Sequence, residues 1–73
     1  VEEDFVALED AAAVRRALAA LPEGLRVVVV LRVCHGYSHA RIARALGITP
    51  SASEQRFARG RARLRDVLRE LRD

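Results

Sequence analysis

Gln55 and Arg59 stand four residues apart, and each carries a hydrogen-bonding fork. An amide of this kind can pair bidentately with adenine, and a guanidinium can do so with guanine or grip a phosphate. Ala52 could touch a thymine methyl, and Ser51 shares the row formed by Gln55 and Arg59. Arg56 and Arg63 flank that row and could reach phosphates, as could Arg41 or Arg44 from a preceding helix. Thr49 and Glu54 border the same surface. The chemistry on offer is recognition of a nucleic-acid duplex.

Chemistry of other kinds finds little support. Cys34, His35 and His39 are plausible zinc ligands, but Gly36 breaks the chain between them and no fourth ligand is near. Helix-end packing is the better account of these three. Ser38 and Ser51 lack the His and carboxylate that activate a nucleophile, and helix capping explains both. The expectation is a binding domain without catalytic residues, cofactor, metal or small-molecule substrate.

The elements that hold these residues can be read from punctuation and periodicity. With 73 residues, the chain can form one thin-cored domain. Ala, Leu, Val and Arg dominate, and all 13 basic residues are arginine. A first helix is expected over about residues 3–20, with Phe5, Leu8, Ala12, Leu18 and Leu21 at near-helical spacing. Leu21-Pro22 ends it, and Pro22 can occupy the first position of the next helix.

That second segment, residues 22–35, contains four consecutive valines, Val27 to Val30, a run that favours a strand by local propensity. No other segment reads as a strand that could pair with it, so helix is the consistent assignment. Gly36 closes it, and Ser38 is placed to cap a third helix over 39–46 with Ile42, Ala43 and Leu46 facing inward. Gly47 and Ile48 make a turn. A fourth helix over about 50–71 can be capped by Thr49 or by Ser51 with Glu54. Its apolar stripe is Phe57, Leu64, Leu68 and Leu71, continued by the small residues Ser53 and Gly60. A hydroxyl on this stripe predicts that Ser53→Val would stabilise the domain.

The fold class expected is therefore all-α, a small four-helix domain ending in a helix-turn-helix. A short helix braces, and the first turns of the longer one enter the major groove. Charge agrees with that polarity. Residues 1–10 carry five acids and no base, while 49–73 carry seven arginines against four acids, although the net charge is only +3.

One cysteine excludes an internal disulfide and fits a reducing, cytoplasmic setting. The acidic start does not resemble a signal peptide, and the apolar run at 27–31 is too short to span a bilayer, so no membrane role is expected. With no methionine at position 1, the chain reads as a piece of a longer protein.

From Leu18 to Leu68 the chain resembles region 4 of bacterial sigma factors of the extracytoplasmic-function group. The resemblance rests on Ala17-Leu18-Ala19-Ala20-Leu21-Pro22, the apolar run 27–31, Gly36-Tyr37-Ser38, Ile42-Ala43, Leu46-Gly47-Ile48, and Arg56-Phe57-Ala58-Arg59-Gly60-Arg61, in the family's order and spacing. It implies a domain that reads the upstream (minus 35) promoter element and docks on the flap of the RNA polymerase β subunit. For many members it also implies an anti-sigma factor or other regulator as partner.

On this resemblance, residues 1–10 are an acidic linker from a missing N-terminal, promoter-melting domain, and 11–73 are the helix-turn-helix domain. Residues 11–35 face polymerase, with Leu21, Val28, Val29 and Leu31 as partner-binding candidates, the run 27–31 being read as core with partial exposure that could also form a docking groove, and 38–65 face DNA. The chain departs from the family pattern in Ser53 for a core aliphatic, Glu54 for a base, Arg41 for the usual Glu, and Gly60 for Ala. Ser53 and Gly60 together predict a loosely packed recognition helix. The alternative is a degenerate region 4 that acts mainly as a protein-interaction module. An ordinary helix-turn-helix repressor would need a dimer interface, and none is visible.

Overall fold

A computed structural model of the chain describes residues 11–72. The acidic linker expected at 1–10, and the first turns expected from Glu3, lie outside the described residues. Four helices follow in order: α1 (Ala11–Ala19), α2 (Glu23–Val29, continued by a π-helical segment Val30–Cys34), α3 (His39–Leu46) and α4 (Pro50–Arg72). No strand occurs among the described residues.

Each boundary has a local cause. The amide of Leu21 donates to the Leu18 carbonyl at 3.1 Å, tightening the end of α1, and Arg26 Nη1 donates to the Ala19 carbonyl at 3.5 Å. A cation there suits the negative end of the α1 dipole. Pro22 sits one place earlier than expected: it is the N-cap of α2, with ψ 144°, and its carbonyl accepts from Leu25 and Arg26 at 3.0 and 2.9 Å. Proline serves there because its carbonyl, not its missing N–H, is what the first turn needs.

The valine run is helical, against its local propensity. Val28 and Val29 are buried, so tertiary packing decides the conformation. After Val29 the helix widens, and the His35 amide donates to the Val30 carbonyl at 3.3 Å, five residues back. Gly36 then takes a left-handed φ of 69°, and the Tyr37 amide returns to the Leu31 carbonyl at 3.0 Å.

The long helix α4 is the spine of the molecule. Its 23 residues span about 34 Å, and α1, α2 and α3 all pack on it, α2 most extensively. The face turned to them carries Ser53, Phe57, Gly60, Leu64 and Leu68, at spacings of three and four that keep them on one side. Leu71, expected on the buried stripe, is 39% exposed. Leu46, expected to face inward, is also exposed, and Ile48 turns partly inward in its place. The chain reverses at Gly47, which leaves Leu46 in the last turn of α3 37% exposed.

Gly60 corrects the expectation of loose packing. A Cβ built on it would lie 2.6 Å from Val29 Cγ2 and 3.3 Å from the Leu25 carbonyl oxygen, so α2 and α4 cross too closely for any side chain there.

Candidate nucleic-acid interface

The turn between α3 and α4 sets where α4 begins and how it is aimed. Gly47 adopts φ 71° and ψ 34°, the left-handed conformation that ends α3, and the Ile48 amide donates to the Ala43 carbonyl at 3.0 Å. Thr49 Oγ1 accepts from the Ala52 amide at 3.0 Å, which makes Thr49 the cap and Pro50 the first helical residue. Ser51 lies within the helix and does not cap it. At the start of α3, Ser38 Oγ accepts from the Arg41 amide at 3.1 Å, as its position predicts.

A polar contact ties the two helices together. Ser53 is fully buried, and its hydroxyl is 2.8 Å from His39 Nδ1, while the His39 ring meets Phe57 edge-on at 5.7 Å. The register of α4 is thus the expected one, but the hydroxyl is hydrogen-bonded, which removes the ground for expecting Ser53→Val to stabilise. Sequence reading missed His39. The signal was available, since a hydroxyl on a buried stripe requires a partner, and His39 begins the helix packed against it.

With the buried face fixed, the opposite face of α4 is determined. Ser51, Gln55 and Arg59 are exposed, one turn apart, in a single row. Ala52 and Arg56 are half-buried beside it, and Arg63 and Glu54 are exposed. On α3, Arg41 and Arg44 are both exposed and three residues apart, so they share a side. Among the described residues, none of Arg44, Arg56, Arg59 and Arg63 is paired with an acid. One ion pair on the surface joins Arg69 and Asp66 at 3.6 Å, exposed on both sides and energetically slight. A helix presenting an amide and guanidinium groups outward, with arginines on its flank and on the helix before it, can offer bidentate contacts to base edges and charge to phosphates.

The candidates for partner binding are placed differently. Leu21, Val28 and Val29 are at most 3% exposed. All three belong to the buried core, Val29 at the Gly60 crossing, and do not present a surface. Leu31 is half-buried, as are Leu25, Val27, Val30 and Val33 along the same segment. Cys34 and His35 are exposed at its end, His39 is engaged by Ser53, and no described group of three such side chains is arranged to hold a metal ion. No helix among the described residues is long and apolar enough to cross a membrane.

A family model described as Sigma-70, region 4 matches residues 11–64. The ECF RNA polymerase sigma factor SigM of Mycobacterium tuberculosis is 46% identical over 61 residues, covering 84% of this chain and 31% of the relative, in both strain Erdman and strain H37Rv. The chain therefore spans about a third of the length of these curated relatives. No solved structure matches it significantly.

Proposed function

Since this chain belongs to the sigma-70 region 4 family, in its extracytoplasmic-function group, we propose that it reads the upstream (minus 35) element of promoters for RNA polymerase in the cytoplasm. The observation that carries this reading is the exposed row Ser51, Gln55 and Arg59 on a helix whose start is fixed by Thr49 and whose inward side holds Ser53 and the apolar stripe. Gln55 and Arg59 take the base edges, and Ser51 and Ala52 lie alongside them. Arg56 and Arg63 on α4, with Arg41 and Arg44 on α3, take phosphates. Thr49 acts through its cap, and Glu54 borders the row.

The half-buried side of α2 around Leu31 supplies the surface for the polymerase β-subunit flap, and for an anti-sigma factor or other regulator where one is used. A domain of 73 residues has too few layers to cover both sides of that helix. Its role is to bind, and no residue is assigned to catalysis.

Salt dependence tests this reading. Binding to duplex DNA should weaken steeply with salt, and Arg56→Ala and Arg63→Ala should each flatten the slope of log affinity against log salt by about one unit. Slopes unchanged in both variants would take these residues off the DNA. Partner binding that persists without measurable DNA affinity would favour the interaction-module reading instead.

A further inference from the structure

Tyr37 has no role in the reading above, yet it is held more firmly than a connecting residue needs to be. Its amide donates to the Leu31 carbonyl at 3.0 Å, and its carbonyl accepts from Arg32 Nη1 at 3.2 Å. Before it, Gly36 reverses the chain with φ 69°, and after it Ser38 caps α3. The His35 ring meets the tyrosine ring edge-on at 6.2 Å. The half-buried ring is thus a fixed plate at the corner between α2 and α3.

The Arg41 guanidinium lies on that plate, its Cζ 3.9 Å from the ring centroid. This is well inside the range in which a ring face attracts a cation. Arg41 occupies the first turn of α3, where the positive end of the helix dipole disfavours a base. No acid among the described residues pairs with it. A locally unfavourable residue with a support built beneath it marks a site where function has overridden helix preference. A guanidinium held against a ring keeps its planar fork of N–H groups in a defined orientation, which suits bidentate contact with a phosphate. Arg44 extends the same exposed side one turn further.

We propose that Tyr37 is a positioning residue for DNA. It holds the Arg41 guanidinium so that the bracing helix grips a backbone phosphate of the duplex that α4 reads. This inference rests on the reading of α4 as the DNA-facing helix.

A double-mutant cycle tests it, using a fluorescent duplex that the wild-type chain selects from a randomised pool, a random duplex, several salt concentrations, and thermal melts of each variant. Arg41→Ala should weaken both duplexes by a similar factor and flatten the salt slope by about one unit. Tyr37→Leu should weaken binding about 2–5-fold, the equivalent of an exposed cation–π contact, and should have no further effect in the Arg41→Ala background. Tyr37→Phe should bind as wild type. Arg41→Lys, which keeps the charge and loses the fork, should weaken binding without changing the slope; if Tyr37→Leu unfolds, this variant still tests the claim.

Equal losses from Tyr37→Leu in both backgrounds would make Tyr37 a folding residue only and overturn the proposal. So would an Arg41→Ala slope equal to wild type, or an Arg41→Lys variant that binds like wild type. Gln55→Ala with Arg59→Ala, measured alongside, separates the two levels. If that variant loses preference for the selected duplex while Arg41→Ala leaves the slope unchanged, the Tyr37 proposal falls together with the phosphate contact of Arg41, and base reading by α4 stands. A wild-type chain that selects no duplex removes both.

Discussion

Where α2 crosses α4, Gly60 brings the two helices together over the aliphatic side chains of Leu25 and Val29; where α3 meets α4, the buried contact is a serine hydroxyl bonded to a histidine. The first junction is apolar and close. Contacts of that kind are non-directional one by one, yet the stripe of Phe57, Leu64 and Leu68 and the tight fit at Gly60 together turn one side of α4 inward. The second junction is directional. Ser53 with His39 adds an angle-dependent contact on that same inward side, and the Thr49 cap one turn earlier fixes where α4 starts, so that Gln55 and Arg59 are carried outward. The two junctions hold one side of one helix by different chemistry.

Substitution at the crossing should have the larger effect. Gly60→Ala gains about 1 kcal/mol in helix propensity but forces a methyl against the stiff, buried Val29, an overpacking cost of about 1–3 kcal/mol. The expected net result in chemical denaturation is a loss of up to about 2 kcal/mol, smaller when Val29→Ala makes room. A Gly60→Ala variant more stable than wild type would mean that the crossing is looser than described.

At the polar junction the expected change is smaller and its sign is informative. Ser53→Val should lower stability by up to about 1.4 kcal/mol, because a part-buried His39 nitrogen that loses its partner costs about 1–3 kcal/mol and the two added carbons return about 0.8 kcal/mol each. Pairing it with His39→Leu should recover most of the loss, since both partners then become apolar. Thermal melts of the single and double variants read this directly. Stabilisation by Ser53→Val alone would show that the hydrogen bond contributes nothing to the junction.

The difference between the junctions also explains what could be read from sequence. Gly36, Gly47, Pro22 and Pro50 mark the helix ends, since left-handed turns and proline leave few alternatives, and the stripe from Phe57 to Leu68 identifies the buried face of α4. The outward row of Ser51, Gln55 and Arg59 follows as its opposite. Periodicity names a face but not how far a neighbour covers it, and so Leu46 and Leu71 were expected inside and are exposed. Val28 and Val29, read as core that could also meet a partner, are fully buried, and Val29 packs at the glycine crossing. The choice between Thr49 and Ser51 as cap needed the hydrogen bond itself. The π-helical turn and the stacking of Arg41 on Tyr37 depend on contacts that no spacing rule encodes.

The central claim is that the row on α4 reads bases, and the most direct test compares two duplexes. Affinity of the chain for a duplex it selects from a randomised pool should fall by about 2–6 kcal/mol when Gln55→Ala and Arg59→Ala are combined, because each good bidentate contact discriminates by roughly 1–3 kcal/mol. Affinity for random duplex should fall much less. A double variant that keeps its preference for the selected duplex, or that loses affinity for both duplexes equally, would contradict base reading by this helix.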